Sequence, residues 1–208
     1  MYGKWITFEG IGGSGKSTQV QLLYDWLKVR NVPVIKTMEP GGTPFGQEIR
    51  KIVKAPRSPK LYPFTEFMLF EADRHETIKN VILPSLNEGK IVISDRGIDG
   101  TIAYQGFGRN INIELIDMMT NKATESLKPN LSILIDIDTK IAQKRIKKRT
   151  DAELDQFDLE NIQFQDKVRE GFIFTAKRDP ERIKVIDGTL TQQEILEKII
   201  NLFEKFVL

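Results

Sequence analysis

The sequence of 208 residues contains no cysteine, and this absence excludes disulfides, thiolate zinc sites and cysteine nucleophiles. It is also in keeping with a cytosolic chain, because thiols stay reduced there and disulfides are rare. The net charge of +2 is too small to indicate a nucleic-acid partner. His75 is the only histidine, and we interpret it as a solvated or partly packed helix residue.

Long apolar runs are also missing. No stretch reaches the roughly 20 residues of a membrane span, so we expect no membrane partner. The first predicted strand begins by residue 4, which leaves no room for a signal peptide. The length suits one α/β domain, and there are no internal repeats. We therefore expect a cytoplasmic protein with a single domain over residues 1–208.

The most informative stretch is the glycine-rich segment at residues 10–18, which reads Gly10, Ile11, Gly12, Gly13, Ser14, Gly15, Lys16, Ser17, Thr18. This is G-x-x-x-x-G-K-[ST] between a predicted strand and a predicted helix, the pattern of a phosphate-binding loop. Glycines let backbone N–H groups turn inward around an anion, and the helix N-terminus adds its dipole. We therefore expect Lys16 to reach the β- and γ-phosphates of ATP and the Ser17 hydroxyl to hold Mg²⁺.

A second sequence motif matches the same glycine-rich segment. Gly10-x-Gly12-x-x-Gly15 also matches the dinucleotide fingerprint, with Glu39 near the position of a ribose-binding acid. Lys16 and Ser17 favour the triphosphate loop, because a dinucleotide loop needs neither a lysine nor a metal-binding hydroxyl at those positions.

Five apolar strands are predicted, at about residues 4–9, 34–37, 91–94, 131–137 and 183–186. The connections between them are too long for hairpins and long enough for helical crossovers. We predict an α/β fold of three layers, of the P-loop NTPase type, in which helices cover both faces of a five-stranded parallel sheet. We expect Pro63 and Pro84 to interrupt a helical region over residues 61–86, and Thr139 to cap a later helix.

A charged pair follows the third predicted strand directly. Asp95 at this strand end can hold Mg²⁺ through water, and Arg96 can clamp phosphate oxygens. The alternative is a structural ion pair. Ligands of such sheets bind beyond the carboxyl ends of the strands, where the phosphate loop, Glu39 and Asp95 all fall.

With these residues in place, the sequence resembles the thymidylate kinase family, which transfers phosphate from ATP to dTMP. The resemblance covers nearly the whole chain. The motifs are Phe8-Glu9-Gly10, Glu39-Pro40-Gly41-Gly42-Thr43, Phe70-x-x-Asp73-Arg74, Asp95-Arg96, Ala103-Tyr104-Gln105-Gly106, Val168-Arg169-x-Gly171-Phe172 and Ile186-Asp187-Gly188.

The resemblance implies a role for each matching residue. Phe70 would stack on thymine, Thr101 would read the base edge, and Tyr104 would select deoxyribose. Gln105 would face the nucleotide, and Arg74 would bind the base or its phosphate. The remaining residues would lie near the phosphates: Glu39 and Arg50 at the acceptor, and Arg96 between acceptor and donor. The family also implies ATP and Mg²⁺ as cofactors and a homodimer, for which the apolar helices around residues 64–70 and 118–119 could supply the interface.

Several family positions differ in this chain. Gly12 stands where the loop usually carries an acid, Met38 replaces an arginine, Gly97 replaces an aromatic residue or histidine, and Gly100 replaces a serine. Gln156 stands where many bacterial members have the lid arginine. Because added glycines should enlarge or loosen the acceptor pocket, we expect weaker dTMP binding or a broader acceptor range.

The densest basic cluster, at residues 144–149, precedes an acidic stretch that ends at Asp158. Acidic residues so close to the basic cluster argue against binding of a nucleic acid there. A solvated helix end is one reading. The other is a mobile lid over residues 144–158 that supplies an arginine to the transferring phosphate. Arg149 is the first candidate for that catalytic arginine and Arg145 the second.

Three functions therefore stand at this point. The first is an ATP-dependent dTMP kinase, with Lys16, Arg96 and Arg149 as catalytic residues. The second is a phosphotransferase of the same fold with a different or broader acceptor. The third is a switch protein that binds a nucleotide without a phosphoryl acceptor.

Overall fold

The computed structural model describes residues 2–56, 58–148 and 154–206. Its centre is a parallel sheet of five strands in the order β2-β3-β1-β4-β5. The strands are β1 (Lys4–Glu9), β2 (Val34–Met38), β3 (Ile91–Asp95), β4 (Leu131–Asp136) and β5 (Ile183–Asp187). The predicted five-stranded α/β fold is confirmed, because every pairing in the sheet is parallel.

Helices cover both faces of this sheet. They are α1 (Lys16–Val29), α2 (Pro44–Lys54), α3 (Pro63–Thr77), α4 (Leu83–Asn87), α5 (Asp99–Thr101), α6 (Ile113–Ala123), α7 (Thr139–Ile146), α8 (Ile162–Arg178) and α9 (Gln192–Phe206). Two π-helical segments, Ile78–Ile82 and Ile102–Gly108, continue α3 and α5. In the described ranges, no helix is both long and apolar enough to cross a bilayer.

Each face of the sheet has its own apolar core. On one face, Phe8 of β1 packs with Leu23 of α1 and Phe203 of α9. On the other face, Trp5 and Val92 pack with residues of the π-helical segment that follows α3. Because β1, β3 and β4 are buried on both faces, they carry near-continuous apolar runs instead of alternating ones.

The structure corrects two predictions about helix ends. Pro63 begins α3 instead of interrupting it, because the first turn of a helix does not need the proline N–H. The helical region then continues through the π-helical segment Ile78–Ile82 into α4, which contains Pro84 in its first turn. Asp138 caps α7, with its side chain accepting from Lys140 N, whereas Thr139 is the first helical residue.

The strand order brings the predicted site residues together. β1 lies between β3 and β4, with Phe8 opposite Asp95, and Met38 at the end of β2 is opposite Asp95 as well. The segments that leave β1, β2 and β3 therefore start side by side at the carboxyl edge of the sheet, which is where doubly wound folds bind ligands.

Candidate active site

A pocket of about 380 Å³ opens at this carboxyl edge. It joins residues from the phosphate loop, α2, α3, the end of β3 and the second π-helical segment. The predicted site residues that line it are Gly12, Gly13, Gly15, Lys16, Ser17, Thr18, Glu39, Arg50, Phe70, Arg74, Asp95, Arg96, Thr101, Tyr104 and Gln105. One pocket therefore holds most of the residues predicted for the donor and for the acceptor.

The phosphate loop depends on glycine for its backbone shape. Gly10, Gly13 and Gly15 have φ angles of 140°, 76° and 99°, a region that side chains rarely allow. Gly15 caps α1 without a side chain, so the N–H groups of the first turn stay available to an anion. Lys16 is nearly buried and donates from Nζ to the carbonyl of Ile11 at 2.9 Å, which holds the amine against the loop.

Ser17 and Asp95 form the predicted metal position. The Ser17 hydroxyl lies 2.5 Å from Oδ2 of Asp95, across the gap between α1 and β3. A hydroxyl and a carboxylate are the oxygen donors that Mg²⁺ prefers, and both face the pocket beside the loop. The two residues therefore fit a magnesium ion that is shared with nucleotide phosphates.

Arg96 points across the pocket from the end of β3. Its NH2 donates to the Tyr104 hydroxyl at 3.0 Å, and its guanidinium lies 4.7 Å from the centre of the Tyr104 ring. Burial lowers the Arg96 pKa, but Tyr104, Asp95 and Glu9 more than offset this and raise it overall. Arg96 is therefore a positive charge held between the Gly10 carbonyl of the phosphate loop and the Tyr104 hydroxyl.

Arg74 is buried, so it is not a solvated charge on the surface of α3. Its Nε donates to Oε2 of Glu39 at 2.9 Å, its NH1 bonds Glu71, and its NH2 donates to the Gly97 carbonyl at 3.2 Å. Burial raises the pKa of Glu39 to about 7, although Arg74 opposes that change. Arg74 thus ties the loop after β2 to the turn after β3.

Aromatic side chains form the wall of the pocket. Phe70 lies one helical turn before Arg74 on α3, and its ring centre is 6.0 Å from that of Phe157. Tyr104 meets Phe157 edge-on at 5.6 Å. Gln105, which also lines the pocket, donates its amide to Glu66, and this bond fixes its orientation. Flat apolar rings with polar groups beside them suit a nucleobase.

Residues 154–158 close one side of the pocket and are fastened to α2. Lys54 and Asp155 form an ion pair at 2.7 Å, and the backbone N–H of Gln156 donates to the Lys54 carbonyl at 3.0 Å. The Gln156 side chain is buried and donates to the Val53 carbonyl, so it does not face the pocket.

The predicted lid arginines have different outcomes. Arg149, the first candidate, lies outside the described residues. Arg145 is exposed and donates to the carbonyls of Gly13 and Gly188 at 3.4 and 3.0 Å, so it already contacts the phosphate loop. Three predicted loop residues, Gly10, Ile11 and Ser14, lie behind the pocket instead of lining it.

Several pocket residues were not predicted from the sequence. Lys54, Phe157, Asp158 and Gln165 line the pocket, but none was assigned a role. Phe157 and Asp158 lie within the predicted lid over residues 144–158, but neither was singled out there. Lys54 carried no local signal, because its ion pair with Asp155 joins residues about 100 positions apart in the chain.

The glycines at positions 12, 97 and 100 do not open extra space at their α-carbons. A methyl group at Gly97 would lie 2.6 Å from Cγ2 of Thr7, and one at Gly100 would lie 3.2 Å from Oε2 of Glu9. A methyl group at Gly12 would lie 2.6 Å from Oδ1 of Asp158. Packing of Thr7 and Glu9 therefore leaves no free space beside Gly97 and Gly100, whereas the predicted loosening of the pocket and the change in acceptor range stay predictions.

Comparison with known proteins gives the family. The thymidylate kinase family model matches residues 8–199, nearly the whole chain. The chain belongs to the thymidylate kinase family. A thymidylate kinase of Sulfurihydrogenibium sp. (strain YO3AOP1) is 45% identical over 199 residues, covering 96% of each chain. One from Kosmotoga olearia is 40% identical, covering 96% of this chain and 94% of its own.

A solved structure agrees with this assignment. The crystal structure of thymidylate kinase from Ehrlichia chaffeensis superposes with a TM-score of 0.78 at 33% identity, covering 98% of this chain and 99% of that chain. The predicted family and the P-loop NTPase fold are therefore confirmed. The family assignment also confirms the prediction of an enzyme over that of a nucleotide-binding switch.

Proposed function

We propose that this thymidylate kinase family member carries out phosphoryl transfer within the pocket at the carboxyl edge of its sheet. The chain is a phosphotransferase that phosphorylates dTMP to dTDP, with ATP as donor and Mg²⁺ as cofactor. The observation that carries the proposal is that one pocket of about 380 Å³ joins the phosphate loop to Arg74, Phe70 and Tyr104. Donor and acceptor groups can therefore meet in one pocket.

The donor side of the pocket follows from the phosphate loop. We assign the backbone of residues 10–18 and Lys16 to the β- and γ-phosphates of ATP. Ser17 and Asp95 would hold Mg²⁺, which neutralises phosphate charge during transfer. Lys16 and Arg96 contribute two further positive charges, and phosphoryl transfer needs positioning and charge more than a covalent nucleophile.

The acceptor side follows from the aromatic wall and the buried charges. We assign thymine to the face of Phe70, with Thr101 and Gln105 beside the base. Tyr104 would lie against the sugar. The acceptor phosphate would lie among the charged residues of the loops after β2 and β3, which are Glu39, Arg50, Arg74 and Arg96.

A lid arginine completes the proposed site. We assign Arg149 to the transferring phosphate, with Arg145 as the second candidate. The contacts of Arg145 with Gly13 and Gly188 support the nearness of this helix end to the phosphate loop. The lid is proposed to span residues 144–158 within a single domain of residues 1–208.

We also propose a homodimer of cytoplasmic location. Large apolar side chains are exposed on α2, α3 and α6, whose helices pack beside one another: Phe45, Ile52, Phe64, Met68 and Met118. Phe64 and Met68 are one turn apart on α3 and so share a face. Light scattering should give twice the chain mass, and Phe64→Glu should reduce it to the monomer.

The test of the reaction is identification of its products. With ATP, Mg²⁺ and dTMP, chromatography should show dTDP and ADP formed in equal amounts. Lys16→Met should remove both products while leaving the protein folded, because it deletes the charge held against the loop. Formation of ADP without dTDP would refute the proposal.

A further inference from the structure

Glu9 is a buried carboxyl group that the proposed roles leave unused. It is the last residue of β1, is 1% exposed, and accepts the backbone N–H of Gly97 at 2.8 Å through Oε1. Its other oxygen, Oε2, is buried and has no hydrogen-bond partner among the described residues. A buried polar atom of this kind is costly, so its retention calls for an explanation.

The turn that Glu9 touches has a strained backbone. Arg96 has a φ angle of 73°, in the left-handed region that is uncommon for residues other than glycine. Such conformations cost free energy and persist only where the surroundings fix them. Two successive N–H groups of this turn are fixed by β1: Arg96 N donates to the Phe8 carbonyl at 3.0 Å, and Gly97 N donates to Glu9.

The opposite side of the turn is fixed as well. Arg74 donates to the Gly97 carbonyl at 3.2 Å, so Gly97 is held between a buried carboxyl group and a buried guanidinium. With the backbone held in this way, the Arg96 side chain reaches Tyr104 and the Gly10 carbonyl. Glu9 thus binds Gly97, the residue that directly follows Arg96, and the proposed function places Arg96 between the two phosphates.

We propose that Glu9 is a positioning residue, which holds the turn at residues 96–97 so that the Arg96 guanidinium points between donor and acceptor. This inference rests on the proposed function, since it gives Glu9 a role only through Arg96. Glu9 itself does not line the pocket. It is separate from the phosphate loop, whose residues begin with Gly10.

The charges around Glu9 determine its protonation. Burial raises its pKa to about 8, with Asp99 adding to the rise and Arg96 and Lys16 opposing it. Glu39 also raises it slightly, and Asp99 is itself paired with Arg182 at 2.7 Å. At neutral pH the group is therefore a neutral acid, which accepts the Gly97 N–H without competing with phosphates for Arg96.

Loss of this proton would place a negative charge next to Arg96 and Lys16. An ionised Glu9 would attract Arg96 and Lys16 away from the phosphates. Within the described ranges no donor meets Oε2, and a methyl group at Gly100 would lie 3.2 Å from that oxygen. We expect kcat to fall as pH rises through about 8, and Glu9→Gln, which cannot ionise, to lose that fall.

The experiment compares Glu9→Gln, Glu9→Leu, Arg96→Ala and the double variant Glu9→Leu/Arg96→Ala, with Ser94→Ala as a control for loss of a buried oxygen in β3. Glu9→Gln keeps an acceptor for Gly97 N–H, so kcat at pH 7 should stay within about threefold of the wild type. Glu9→Leu should lower kcat about 10- to 100-fold with little change in KM for ATP. In the Arg96→Ala background, Glu9→Leu should add less than about a twofold loss.

The outcomes separate this inference from the proposed function. If Glu9→Leu lowers kcat equally in both backgrounds, or if Glu9→Gln is as impaired as Glu9→Leu, the positioning role is overturned. Unchanged kcat in Glu9→Leu overturns it too. Failure of the wild-type protein to form dTDP would instead refute the proposed function. Circular dichroism and ATP binding of each variant show whether a loss comes from unfolding.

Discussion

Ser17 Oγ lies 2.5 Å from Oδ2 of Asp95, which joins the first turn of α1 to the end of β3. The two residues are 78 positions apart in sequence, yet the pairing of β1 with β3 brings them together. A hydroxyl and a carboxylate so close together are oxygen ligands that a hard cation prefers, which supports the proposed Mg²⁺ site. The pair also gives the magnesium assignment a direct test.

Replacing either oxygen should raise the Mg²⁺ concentration needed for turnover. We expect Asp95→Asn to lower kcat by about 10- to 1000-fold at saturating ATP, since it removes the charged donor. Ser17→Ala should have a smaller effect. Glu48→Gln, which alters an exposed acid on α2, is the matched control. A Mg²⁺ titration of initial rate measures the effect, and unchanged Mg²⁺ dependence in both variants would contradict the assignment.

A side chain at Gly12 should meet Asp158 while residues 154–158 stay in place. A methyl group there would lie 2.6 Å from Oδ1 of Asp158 and 3.2 Å from Cδ1 of Ile146. We expect Gly12→Ala to raise KM for dTMP or ATP by about 5- to 50-fold, because Asp158 must move. In an Asp158→Gly background the same substitution should cost less. Equal losses in the two backgrounds would show that Asp158 is not the obstacle.

The ion pair of Lys54 with Asp155 should hold residues 154–158 against α2. It is partly buried, so we expect it to contribute more than an exposed pair, which contributes about 0–1 kcal/mol. Lys54→Met should therefore speed proteolysis near residue 155 and raise KM for nucleotides. Lys51→Met removes an exposed pair with Glu48 on the same helix and serves as the control. Equal protease sensitivity of the two variants would exclude a fastening role.

Glu9 should make folding stability depend on pH in a defined direction. In the folded protein its proton stays bound up to about pH 8, whereas an unfolded glutamate releases it near 4.5. The folded state therefore binds more protons between these values, so stability is full below about 4.5 and falls as pH rises through about 8. Relative to Glu9→Gln, the wild-type Tm should fall between pH 5 and 8. For a chain of this size, about 2–4 °C corresponds to 1 kcal/mol.

Glu48→Gln is the control for this pH dependence of Tm, since the Glu48 carboxylate is exposed. Thermal unfolding at four pH values is sufficient. A Tm difference between wild type and Glu9→Gln that stays constant from pH 5 to 8 would show that Glu9 does not titrate in this range.

The sequence predicts the fold and the donor loop because their signals are local. The loop at residues 10–18 lies in one stretch, and the apolar runs of β1, β3 and β4 mark buried parallel strands. Helix ends are less certain, because adjacent residues compete. Asp138 and Thr139 can both cap a helix, and only the backbone decides between them.

The contacts of the candidate site cannot be predicted from local sequence signals in the same way. The bond from Gly97 N to Glu9 joins residues 88 positions apart, and Lys54 meets Asp155 across a similar gap. Glycines at 97 and 100 look like added space in a sequence, but packing of Thr7 and Glu9 against them removes that space. Such details depend on tertiary packing, which the sequence pattern alone does not specify.

The most direct test of the account is the rate of ADP production with ATP and Mg²⁺ across a panel of acceptors. The panel compares dTMP, dUMP, UMP, dGMP and dAMP with a control that lacks an acceptor. We predict that dTMP gives the highest kcat/KM and that the control gives almost no ADP. A higher kcat/KM for another acceptor, or ADP production that does not depend on any acceptor, would contradict the account.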